Sequence, residues 1–91
     1  MAVMRAKVRC ASVTPHMGTV GTRAEGEKFG EVLEFVAVGK SGPYPDDGAD
    51  DDNTYAKYSP TASFKIDVRN PAIFGKFTIG QKFYVDFTEA P

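Results

Sequence analysis

Three segments of this chain alternate apolar and polar residues with a period of two: "MRAKVRCASV" (4–13), "ASFKIDVR" (62–69) and "KFYVDFT" (82–88). That period belongs to a strand, whose successive side chains point to opposite faces. The first segment puts Met4, Ala6, Val8, Cys10 and Ser12 on one face and Arg5, Lys7 and Arg9 on the other. In the second, Ala62, Phe64, Ile66 and Val68 face away from Ser63, Lys65, Asp67 and Arg69; in the third, Phe83, Val85 and Phe87 face away from Tyr84, Asp86 and Thr88. A fourth segment, "EVLEFVAV" (31–38), is apolar on both faces and rich in valine, which suits a central strand covered on two sides.

No segment has the length and 3.6-residue period of a long helix. The one helical signal is "NPAIFGKF": Asn70 can cap, Pro71 suits the first helical position and Gly75 can end the turn, which offers Ile73 and Phe74 to the core. "TIGQ" reads as a tight turn. From Thr14 to Gly30 the chain has the composition of turns, with at most a short strand at Val20–Arg23, and His16 reads as a solvated loop residue. Short alternating strands and no long helix predict an all-β fold, a small antiparallel barrel or sandwich of the OB or SH3 kind with one short helical turn. Residues 1–91 form a single domain in this reading, with a long polar arm at 39–60.

The arm, "GKSGPYPDDGADDDNTYAKYSP", carries five aspartates within Asp46–Asp52 and three tyrosines among prolines. "NTYAKY" within it has the character of an edge strand. Loops longer than about 12–15 residues are usually functional or disordered. Tyrosine on a loop is a common anchor of protein interfaces, so Tyr44, Tyr55, Tyr58, Asp50, Asp51 and Asp52 are candidate protein-interface residues. The aspartate spacing departs from the EF-hand pattern, because Gly48 directly follows the second Asp and no distal Glu is present; no metal is assigned.

Ninety-one residues bury only about two-thirds of their unfolded surface, so a thin core or pairing with further copies is expected. Lys and Arg number 11 against 12 Asp and Glu, a balance that gives no bulk attraction to nucleic acid or anionic membrane. The row Arg5, Lys7, Arg9 with Tyr84 is the candidate nucleic-acid surface, since cations about 6.6–6.8 Å apart along a strand could follow a phosphate backbone. Outward Glu34, Asp67 and Asp86 offer those cations ion pairs instead. The single cysteine, Cys10, falls on the inward row and is read as a buried, inert thiol; the single histidine leaves no partner set for nucleophilic or zinc chemistry. No catalytic residue, cofactor site or membrane segment is assigned, and no apolar run resembles a secretion signal.

The stretches "MRAKV", "DNTYAKYSPTAS", "NPAIFGKF" and "GQKFYVDFTEAP" resemble motifs of a group of short, uncharacterised proteins encoded by tailed bacteriophages. The resemblance spans most of Met4 to Pro91 except Thr14 to Gly30. It implies phage origin and a compact β domain, and it carries no catalytic residue. The expected function is that of a non-enzymatic phage accessory protein acting by protein–protein contact, as a small virion or head-associated component that oligomerises through its edge strand and its arm. Single-stranded nucleic-acid binding and inhibition of a host defence protein are the alternatives, and the expected location is the virion or the host cytoplasm.

Overall fold

Each alternating segment becomes a strand, and the register between strands puts their apolar rows on one face. The computed structural model describes residues 2–18 and 26–91; the short strand expected at Val20–Arg23 lies outside them. The strands are β1 (Ala2–Met17), β2 (Lys28–Ala37), β3 (Ser63–Val68) and β4 (Lys82–Thr88). They form one antiparallel sheet in the order β3-β2-β1-β4. That is the strand order of a Greek key, in which the last strand returns to lie beside the first.

β2 is interior to the sheet, between β3 and β1, but the cover expected on both its faces is not there: no further layer packs on it among the described residues. Val8 pairs with both Ala37 and Phe83, and Phe35 with both Cys10 and Phe64, so two adjacent rows together place apolar residues of all four strands on one face. The buried core is Ala6, Val8, Cys10, Leu33 and Phe35. Phe35 holds its centre, stacked on Phe64 at 5.0 Å and edge-on to Phe77 at 5.8 Å and Phe83 at 6.0 Å between ring centroids. Such offset and edge-to-face pairs are the arrangements aromatic quadrupoles favour. Cys10 is a fully buried free thiol, in the place its inward position predicts.

The sequence periodicity misses a bulge in β1. Cys10 pairs with Phe35 and Ser12 with Glu34, leaving Ala11 as the extra residue. The Cys10 N–H donates to Gln81 O at 2.9 Å and its carbonyl accepts from Gly80 N–H at 2.8 Å, so the start of β4 pins this point. Beyond the bulge the faces exchange: Val13, not Ser12, lies opposite Leu33 and packs on the core. His16 is also placed differently from the expectation. It lies within β1, opposite Gly30, with its ring 5.7 Å from that of Phe29.

The connection from β3 to β4 contains a 3₁₀ turn, Pro71–Ile73, capped by Asn70, whose side chain accepts from Ala72 N–H at 3.0 Å. It does not plug the core. Ile73 is exposed, Phe74 lies under the Lys28 ammonium at 4.8 Å, and Phe77 instead joins the aromatic cluster. "TIGQ" closes as a turn with Gln81 N–H donating to Thr78 O at 3.0 Å, and Gly80 takes φ +92°, where a side chain would be strained.

The sheet does not close. β3 and β4 are its two edges, separated by the full width of β2 and β1, and the extensive contacts between elements are all lateral. The molecule measures 59 × 32 × 17 Å, the thickness of a single layer. Its radius of gyration, 16.8 Å, exceeds the ~12 Å of a compact domain of this length. The apolar row of β3 and β4 is therefore present without a cover: Ile66 and Phe87 are each 47% exposed.

Candidate functional site

The arm begins where β2 stops. β2 ends at Ala37, opposite Val8, while β1 runs on to Ala2, which leaves the backbone of Arg5 and Lys7 without a strand on that side. Buried backbone groups require partners, and the arm supplies them. Val38 N–H donates to Lys7 O at 2.9 Å and Thr54 N–H to Arg5 O at 3.0 Å. Arg5 N–H donates to Thr54 Oγ1 at 2.9 Å and Lys7 N–H to Asn53 Oδ1 at 2.8 Å. The side chains of two residues thus stand where strand carbonyls would be. "NTYAKY" is not an edge strand: toward β1 it offers side-chain acceptors, and its one β-bridge, Lys57 to Ala49, lies within the arm.

Asp50 and Asn53, both buried, hold this arrangement. Asn53 Nδ2 donates to Val38 O at 2.7 Å and to Asp50 Oδ2 at 3.2 Å. Asp50 Oδ1 accepts from the N–H groups of Asp52 and Asn53 at 2.9 and 3.0 Å, and its Oδ2 accepts from Lys40 N–H and the Tyr44 hydroxyl at 3.3 and 3.4 Å. Burial raises the pKa of this carboxyl, but the donors from Asn53, Asp52 and Lys40 outweigh it and hold Asp50 below its ordinary value. The folded chain therefore favours the carboxylate. Its stabilising contribution is complete above the unfolded pKa of about 3.9 and is lost as pH falls through the lower folded value. Urea midpoints measured from pH 7 to pH 3 are expected to fall more steeply below about pH 4 in the unmodified chain than in Asp50→Asn.

The other candidate interface residues turn largely into the arm. Tyr44 and Tyr58 lie ring to ring at 5.8 Å, and the Tyr58 hydroxyl donates to Asp46 O at 2.6 Å. Tyr58 has φ +61° and covers Gly48, itself at φ +74°; any Cβ on Gly48 would collide with that ring. Tyr55 reaches beneath the arm to pack against the core. Asp51 is exposed, with no hydrogen-bond partner among the described residues, while Asp52 is engaged by the polar face of the sheet.

That face carries the cationic row, and most of it is already neutralised. Arg5 pairs with Asp86 through two contacts, at 2.6 and 3.0 Å, and its guanidinium sits 4.5 Å from the centre of the Tyr84 ring. Lys7 reaches Asp52 at 3.2 Å, and the Tyr84 hydroxyl donates to the same carboxylate at 2.9 Å. Hydrogen bonding and charge attraction from Asp86 raise the Arg5 pKa, and the converse lowers that of Asp86. Only Arg9 of the row forms no ion pair among the described residues.

The opposite face is apolar. Val8, Phe35, Phe64, Ile66, Phe83 and Val85, with Phe77, border a cleft of about 280 Å³. A second groove of about 170 Å³ lies between Phe64, Tyr55 and Phe87. Besides Cys10, the strand positions there carry the ion pair of Lys28 with Glu31, which is buried and whose Oε1 has no partner among the described residues. Hydrogen bonding from Lys28 holds that carboxyl below the usual range against the effect of burial.

The sequence reading passed over Asn53 and Glu31. "DDDN" carries the local signature of Asp and Asn side chains folding onto nearby backbone, which is the signal that could have found Asn53. Glu31 has none, since it opens a strand like any solvated glutamate. No group of three or more His, Cys, Asp or Glu side chains among the described residues is arranged to hold a metal ion, and no described helix is long and apolar enough to cross a membrane. No protein-family model, curated protein or solved structure matches the chain.

Proposed function

We propose that this chain is a non-enzymatic accessory protein of a tailed bacteriophage, acting by protein–protein contact as a small virion or head-associated structural component. The uncovered apolar face carries the reading: Ile66 and Phe87 lie on it half exposed, and a contiguous exposed apolar surface on a small protein marks a contact site. The self-satisfied arm supports it in another way, as a rigid support that fixes the end of the sheet. Phage origin comes from the resemblance of "NPAIFGKF" and "GQKFYVDFT". The sandwich expected from the strand pattern then requires a second layer from a partner.

Single-stranded nucleic-acid binding draws less support, because Arg5 and Lys7 would have to leave Asp86 and Asp52 to reach phosphate. Mass spectrometry of purified particles of the encoding phage, with the major capsid protein as the standard, tests the proposal. A fixed ratio of this chain to capsid protein is the expected result. Abundant chain in infected cells with none in particles would reject a virion role and move the search to host proteins.

A further inference from the structure

We infer that the apolar face is covered by the same face of a second copy of this chain, giving a two-fold dimer that is a four-on-four β-sandwich. The inference rests on reading that face as a contact surface, and it names the partner. Stable domains pack at least two layers of secondary structure around a core, and this chain supplies one layer 17 Å thick. Packing two such sheets face to face, about 10 Å apart, supplies the missing half of the core.

The area agrees with what a dimer needs. The chain exposes 6361 Å², against about 5,200 Å² expected for a folded monomer of its mass. The excess is larger than the ~800 Å² that each partner contributes to a standard interface. Charge also favours an identical partner. A two-fold interface buries the same patch on both copies, so every exposed charge on that patch would be taken out of water twice. This face carries none on β3 or β4, since Lys65, Asp67, Lys82 and Asp86 all lie on the other side of the sheet, and at the end of β2 Lys28 is already neutralised by Glu31. The cleft beside Phe35, Phe77 and Phe83 is open to an apolar side chain from the partner, and Ile66 and Phe87 project from the same face.

Sedimentation equilibrium of the full chain from about 1 to about 100 µM, the range in which small dimers commonly dissociate, tests this. The expected result is twice the chain mass, with Ile66→Glu and Phe87→Glu each weakening association by roughly 100-fold or more, because each places two unpaired charges in the interface. Ile79→Glu, at a residue 62% exposed in the turn before β4, is expected to leave association unchanged. Hydroxyl-radical labelling of the unmodified chain gives a readout independent of variant folding: Ile66 and Phe87 become protected on dimerisation and Ile79 does not. A monomer at the highest concentration overturns the inference, as does a dimer indifferent to both glutamates, which would pair through its strand edges. A monomer found in particles removes the second copy but keeps the assembly reading; a dimer absent from particles does the reverse.

Discussion

Phe35→Ala is expected to destabilise the fold by about 4 kcal/mol, the middle of the range for truncating a buried aromatic. Phe35 is 4% exposed and touches Phe64, Phe77 and Phe83, so its removal opens a cavity at the one point where β2, β3, β4 and the β3–β4 connection meet. Rings at the edges of the cluster cannot collapse into that space without leaving their own strands. Few other residues compensate, since among the described residues only Ala6, Val8, Cys10 and Leu33 share the buried apolar core. A domain of this size has about 5–10 kcal/mol to lose. Urea denaturation followed by far-ultraviolet circular dichroism should show the midpoint collapse, while Phe35→Leu, which retains most of the volume, loses less than about half as much. A loss of only about 1 kcal/mol for Phe35→Ala would mean that the cluster is not the centre of the core.

The same residues show what the sequence can express. Phe64, Ile66, Val68 and Phe83, Val85, Phe87 alternate without interruption, so their strands and their common face are legible from period alone. Alternation states that a face is apolar; it does not state what covers it. Closure was therefore open to a barrel or a sandwich on paper, and the sheet is neither by itself. The bulge at Ala11 is illegible for a related reason: it depends on Gly80 and Gln81, about seventy residues away, meeting Cys10. In the arm, five aspartates look alike in sequence, and only the point at which β2 stops makes Asp50 a buried acceptor while Asp51 stays exposed. Local chemistry was visible, but the identity of the buried member was a tertiary outcome.

Asn53→Ala is expected to cost about 3 kcal/mol, because the change strands Lys7 N–H and Val38 O together and each lost buried partner is worth roughly 1–3 kcal/mol. Asn53 is completely buried, so water reaches those groups only if the arm lifts. Lifting also breaks the contacts of Thr54 to Arg5 and removes Asn53 from Asp50, leaving that carboxylate one donor poorer. The loss should consequently be local before it is global. Amide exchange at Lys7, Asp52 and Thr54 should accelerate markedly, while the β2–β3 ladder around Leu33 and Ile66 stays protected. Asn53→Asp should not rescue: it keeps an acceptor for Lys7 N–H but faces Val38 O and Asp50 Oδ2 with oxygen in place of a donor. Asp51→Ala, at an exposed position of the same aspartate cluster, should change stability by less than about 0.5 kcal/mol. Equal effects at positions 51 and 53 would mean that the arm is held by its tyrosines rather than by the Asp50–Asn53 pair, and Tyr58, seated on Gly48, would then become the residue that orders it.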